Sequence, residues 1–173
     1  ILVPLEGDLY VARLDGTVEK LPAEAGAKLN AALSPGGRYV SYVVDQNLMV
    51  LDRRDGRNLR ATGDGGGTIH WSEAEFVAQE EMDRFQGYWW SPDDKRIAVE
   101  RFDEARVGIV TRAAIGAEGT SVFQQRYPKA GTDNALVELW IMDPAGANRV
   151  EADLGAEGLG EFDDIGQNAL RNW

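Results

Sequence analysis

The sequence contains no cysteine, which excludes disulfides, thiol catalysis and thiolate metal sites. Either redox compartment is compatible with that absence. Histidine occurs once, at His70, and a lone imidazole with no cysteine beside it is a poor nucleus for a metal site. No run approaches the roughly 18 consecutive apolar residues of a membrane span. The apolar stretch Ile1–Leu5 is far too short for a signal peptide. There is no G-x-S-x-G elbow, the turn that exposes the serine of an α/β-hydrolase. Asp52, Asp55 and Asp64 lie near glycine-rich turns but do not form the calcium loop D-x-[DN]-x-[DN]-G. Positive charge is also scarce, with 18 Lys and Arg against 29 Asp and Glu and a net charge of −11. Such a surface repels phosphate, so nucleic acid is an unsuitable partner. It suits cations, including the ammonium group of a peptide, although charge of this size also serves plain solubility.

What is present is an imperfect repeat. A short strand followed by a turn appears as Leu9-Tyr10-Val11 leading to Asp15-Gly16. It recurs as Leu48-Met49-Val50-Leu51 leading to Asp55-Gly56, and as Leu139-Trp140-Ile141-Met142 leading to Pro144-Ala145-Gly146. Asp-Gly marks a tight turn because glycine accepts positive φ at no steric cost. A second unit precedes the last two copies: Leu33-Ser34-Pro35-Gly36-Gly37 running into Arg38–Tyr42, and Trp90-Ser91-Pro92-Asp93-Asp94 running into Lys95–Val99. Proline fixes φ at the corner, and each turn feeds an alternating strand.

The spacing points to an all-β fold of β-propeller blades. Leu48 lies 39 residues after Leu9, and Leu139 lies 91 residues after Leu48. A blade takes about 40–50 residues, so the first interval fits one blade and the second fits one blade plus insertions. The insertions are expected at about 63–88 and 103–134. Propellers close with about 4–8 blades. Two to three blades cannot close a ring, so residues 1–173 read as an incomplete β-propeller whose open edges invite self-association.

One stretch reads as helix: Ser72 to Arg84, SEAEFVAQEEMDR. Ser72 and Glu75 have the spacing of a capping box, and no glycine or proline follows until Gly87. Glu80 and Glu81 then fall near the helix C-terminus, where the dipole disfavours negative charge. Local conflicts of this kind occur at functional sites. The ordinary alternative pairs Glu80 with Arg84 at i,i+4 on a solvated face.

The run Phe76–Pro92, FVAQEEMDRFQGYWWSP, resembles the double-glutamate segment of the dipeptidyl peptidase IV family of serine peptidases. Tyr127-Pro128-Lys129-Ala130-Gly131, followed by the strand Val137–Met142, is similar to a second family segment downstream. The resemblance covers roughly Leu33 to Asp143. It implies that the double-glutamate segment projects from a propeller into a central cavity. There Glu80 and Glu81 would bind the α-ammonium of a peptide substrate. An ammonium offers three donors and one charge, and two carboxylates supply acceptors and charge together. Holding the free amino end at a set distance from a nucleophile would direct cleavage after the second residue, releasing Xaa-Pro or Xaa-Ala dipeptides. That is positioning rather than bond making.

The resemblance further implies a C-terminal α/β-hydrolase domain, which carries the family's triad and lies outside this sequence. It also implies homodimerisation, and favours a periplasmic or secreted location over a cytoplasmic one; a structural or assembly role, with the insertion near Tyr127 mediating dimer contacts, is a further reading that can coexist with it. This segment alone is expected to be inactive and to need no cofactor or metal. His70 comes before any partner that the Ser, acid, His order of the fold would require, so it reads as structural. Trp89, Trp90 and Trp140 read as blade core. The family's substrate-contacting arginine has no counterpart in residues 23–32, which offer only Lys28. A non-enzymatic propeller that binds other proteins is the competing reading.

Overall fold

The computed structural model describes residues 1–154. Fourteen strands form four antiparallel sheets among these residues. The first sheet holds β1 (Leu2–Leu5), β2 (Asp8–Ala12) and β3 (Val18–Lys20) in that order. The second holds β4 (Leu29–Leu33), β5 (Tyr39–Val44), β6 (Asn47–Asp52) and β7 (Arg57–Arg60), also in chain order. In the third, β10 (Ile97–Asp103) pairs with β13 (Leu136–Met142), which pairs with β14 (Val150–Glu151). The other edge of β10 is shared by β8 (Ile69–Trp71) and β9 (Tyr88–Trp90). A separate hairpin, β11 (Ile109–Gly116) with β12 (Gly119–Arg126), extends between β10 and β13. The one helix among the described residues is α1 (Phe76–Met82). No sheet closes on itself, and the architecture is an incomplete β-propeller.

The repeat seen in the sequence maps onto equivalent strands. β2, β6 and β13 carry its three copies, and each is followed through its turn by the last strand of its sheet. The two Ser-Pro turns have one construction. Ser34 Oγ accepts from the Tyr39 amide at 3.1 Å, and Ser91 Oγ accepts from the Arg96 amide at 2.9 Å. They also touch: Asp94 of the second accepts from Ser34 Oγ at 2.7 Å and from the Gly36 amide at 2.8 Å. One turn therefore docks the second sheet onto the third.

The second sheet is buried on both faces, because alternate residues of a strand point to opposite sides. Tyr39, Val43, Leu48 and Val50 join Trp71, Tyr88, Ile97, Val99 and Met142 in a core shared with the third sheet. Val40, Tyr42, Met49 and Leu51 join Leu9, Val11 and Leu21 in a core shared with the first. This face-to-face stacking of successive sheets is why β5 and β6 read as nearly unbroken apolar runs. Among the described residues no helix is long and apolar enough to cross a membrane.

Candidate functional site

β8 and β9 are two halves of one strand position. Ile69, His70 and Trp71 pair with Asp103, Phe102 and Arg101, whereas Tyr88, Trp89 and Trp90 pair with Val99, Ala98 and Ile97. Between them residues 72–87 leave the sheet as an arm, opposite Glu100. The exit is pinned by main chain. The Ser72 amide donates to the Glu100 carbonyl at 2.9 Å, and the Glu100 amide donates to the Gly87 carbonyl at 2.7 Å. The Gly87 amide crosses the neck to the Ser72 carbonyl at 2.9 Å, and the Ala74 amide reaches the Phe85 carbonyl at 3.0 Å. Gly87 is required by space. A Cβ there would overlap the Glu73 carbonyl oxygen and lie 2.7 Å from its carbon and 3.0 Å from the Glu73 nitrogen.

The helix is shorter than expected and capped differently. It starts at Phe76, and Glu75 is its N-cap, its two carboxylate oxygens accepting from the Val77 and Ala78 amides at 2.7 Å each. Ser72 does not cap. It sits buried in the neck with φ 67°, and its hydroxyl has no hydrogen-bond partner. Because the neck hydrogen bonds commit Ser72 to the sheet edge, Glu75 is the first residue free to turn inward. The helix stops at Met82, with Asp83 in the left-handed region at φ 51°.

Arg84 is also not where helical spacing places it. Its Nη1 donates to Glu100 Oε2 at 2.5 Å and to the Gln86 carbonyl at 3.1 Å, and its guanidinium lies 5.7 Å from the centre of the Trp89 ring. The i,i+4 pair with Glu80 does not form: α1 ends before Arg84, with Asp83 left-handed, and the guanidinium is engaged by Glu100 instead. Trp89 is consequently a partly exposed platform for Arg84 rather than a core residue. Trp90 does pack as expected, stacked on Tyr39 at 5.3 Å.

Glu100 is only 3% exposed. Burial pushes its carboxyl above the ordinary glutamate value, while the neighbouring Arg84 charge opposes that rise. Its Oε1 has no hydrogen-bond partner. Sequence reasoning missed this residue, although a glutamate directly following the apolar Ile97-Ala98-Val99 in a strand was the available signal.

Glu80 and Glu81 both lie exposed in the last turn of α1. Among the described residues neither forms an ion pair or a side-chain hydrogen bond, and no basic residue occupies that turn. The arm beneath them is held firmly. Gln79 donates to the Ala74 carbonyl at 2.6 Å, Asn30 of β4 donates to the Phe85 carbonyl at 2.9 Å, and the Phe76 ring meets Tyr127 edge-on at 5.2 Å. Tyr88 is fully buried and donates to the Asn30 carbonyl, and burial holds its phenol well above its ordinary pKa. It is part of the arm's foundation and lines no opening.

His70 stacks on Phe102 at 4.5 Å and shares a 2.6 Å contact with the Gln46 amide. It borders a cavity of about 470 Å³ between the arm and the β11–β12 hairpin, together with Glu73, Phe76 and Glu104. Lys28 is spent on the carbonyls of Gly7 and Gly26 at 2.6 and 2.9 Å.

The family model described as the dipeptidyl peptidase IV (DPP IV) N-terminal region matches residues 3–163. Dipeptidyl aminopeptidase B of Saccharomyces cerevisiae is 28% identical over 125 residues, covering 68% of this chain and 15% of that protein. Dipeptidyl peptidase 8 of Mus musculus is 40% identical over 73 residues, covering 37% of this chain and 8% of that protein. The crystal structure of Porphyromonas gingivalis dipeptidyl peptidase 4 superposes with a TM-score of 0.74 at 22% identity, covering 91% of this chain and 24% of that one. That likeness shows the fold. The chain thus spans about 15% of the length of the yeast relative.

Proposed function

Since the chain belongs to the dipeptidyl peptidase IV N-terminal region family, we propose that it is the substrate-anchoring portion of a dipeptidyl peptidase in which Glu80 and Glu81 receive the α-ammonium of the substrate. The observation that carries this reading is the state of the pair. Two adjacent carboxylates stand exposed at the unfavourable end of a helix dipole with no intramolecular cation among the described residues. The arm's single basic residue, Arg84, is committed elsewhere. An acidic pair left uncompensated on a stiff support is suited to an external cation.

The arm's origin supports the reading further. β8 and β9 occupy the position that β4 holds in the second sheet, the first strand of its blade. In a closed propeller that strand borders the central channel, so the arm would project inward. A hydrolase domain of the same protein would supply the nucleophile, and the distance from it to the glutamates would set a two-residue cut. The β11–β12 hairpin leaves Ile115 and Val122 exposed at 84% and 68%, which suits contact with a second copy.

The test is steady-state hydrolysis of an Xaa-Pro amide by the full-length protein. Glu80→Gln or Glu81→Gln should lower kcat/KM by about 30- to 1000-fold, as expected for a charge-assisted contact with a desolvated ligand. N-acetylated substrate should resist the parent enzyme. Unchanged kcat/KM in both variants would remove the glutamates from substrate binding.

A further inference from the structure

Residues 72–90 contain five acidic residues and one basic one, Arg84. Glu80 lies only four residues before it in the chain, although α1 ends between them at Met82. Any cation arriving at the Glu80–Glu81 pair must therefore compete with Arg84 if that side chain is free to swing. In the structure it is not free. Its guanidinium is engaged by Glu100, the β10 residue at which the arm leaves the sheet.

The two candidate partners of Arg84 differ in surroundings. The Glu100 side chain is 4% exposed, whereas Glu80 stands in solvent. A carboxylate that has lost its water needs a counter-ion far more than one that keeps it. Arg101, the residue next to Glu100 in β10, pairs with Glu138 at 3.2 Å. Arg84 is the only ion-pair partner Glu100 has among the described residues, and Trp89 and the Gln86 carbonyl complete its seat.

We propose that Glu100 is a positioning residue whose buried carboxylate holds Arg84 away from Glu80, keeping the acidic pair uncompensated for a cationic ligand. This rests on the anchoring reading of Glu80 and Glu81. Glu100 touches no substrate and acts wholly through Arg84.

The test compares four full-length forms on an Xaa-Pro amide: the parent, Glu100→Gln, Glu100→Asp and the double variant Arg84→Gln/Glu100→Gln. In Glu100→Gln the released Arg84 should compete for Glu80, raising KM about three- to fivefold while kcat is kept, the weight of an exposed ion pair. The rise should fade at high salt. Glu100→Asp keeps the buried charge and should stay near the parent. The double variant removes the competitor as well and should return KM to within about twofold of the parent. A purely structural role predicts the reverse: the double variant as impaired as the single one or more so, with kcat falling alongside KM, and that result would overturn the proposal. If Glu100→Gln does not accumulate, the double variant decides alone by the same criterion. A crystal structure of Glu100→Gln separates the two ideas. Arg84 found against Glu80 supports the restraint even if the glutamates prove irrelevant to substrate, and Arg84 still seated on Trp89 with KM unchanged refutes it.

Discussion

Replacing Gly87 by alanine is expected to loosen the whole arm while leaving the sheets intact. The added methyl would overlap the Glu73 carbonyl oxygen and sit 2.7 Å from the Glu73 carbon. These are main-chain atoms, so no side-chain rotation relieves them. The neck must spread instead, and its two crossing hydrogen bonds, Gly87 to Ser72 at 2.9 Å and Ala74 to Phe85 at 3.0 Å, are what it would lose. Two such bonds are worth about 1 kcal/mol each, and forced overpacking adds about 1–3 kcal/mol. The local cost is thus about 3–5 kcal/mol. A seven-residue helix cannot persist without its support, so the glutamate pair would lose its position. Hydrogen exchange on the full-length protein reads this directly. The amides of Gly87, Ala74 and Gln79 should exchange about 100-fold faster or more, while those of β5 and β6 stay protected. Gly16→Ala is the control, because Gly16 has positive φ (86°) but a methyl added there would meet nothing within 4 Å. Its cost is backbone strain of about 1 kcal/mol, with no effect on the arm. Unchanged exchange in the neck of Gly87→Ala would refute the claim that close main-chain contact holds the arm.

Three further outcomes follow from the same geometry. Glu75→Ala removes both oxygens that cap α1 and should cost about 1–2 kcal/mol, read as roughly 5- to 30-fold faster exchange at Val77 and Ala78. Asp94→Ala severs the link from the third sheet to Ser34 and Gly36 and should cost about 1–3 kcal/mol, measured as faster exchange at the Gly36 amide and a lower Tm. Asp52 is held below the usual carboxylate range, first by its hydrogen bond from Arg38 and also by the Arg54 amide. Its folded pKa is depressed, so its stabilisation is complete above the unfolded value of about 4 and is lost as pH falls through the folded one. Asp52→Asn should therefore flatten the acid limb of a stability-against-pH curve below pH 4.

The strands and their order were legible because burial in stacked sheets leaves a local signature. The runs around Leu9, Leu48 and Leu139 are apolar on alternate or on both faces, and the Ser-Pro and Asp-Gly turns that bound them are written in residues with few conformational options. Glu80 and Glu81 were legible as a pair because adjacency in sequence is adjacency in space within one helical turn. What surrounds them was not. Helical spacing assigns Arg84 to Glu80, and a serine with a glutamate three residues on assigns the cap to Ser72. Both rules assume that the nearest residue along the chain is the nearest in space. Here β10 overrides them: its main chain ties down Ser72, and its buried Glu100 claims Arg84 from 16 residues away. Sequence alone determined the periodic strands, the turns and the existence of an acidic couple. Only the tertiary structure decided that the couple stands uncompensated, because the need of a buried carboxylate for a counter-ion depends on its desolvation, and desolvation is set by packing between segments rather than along them.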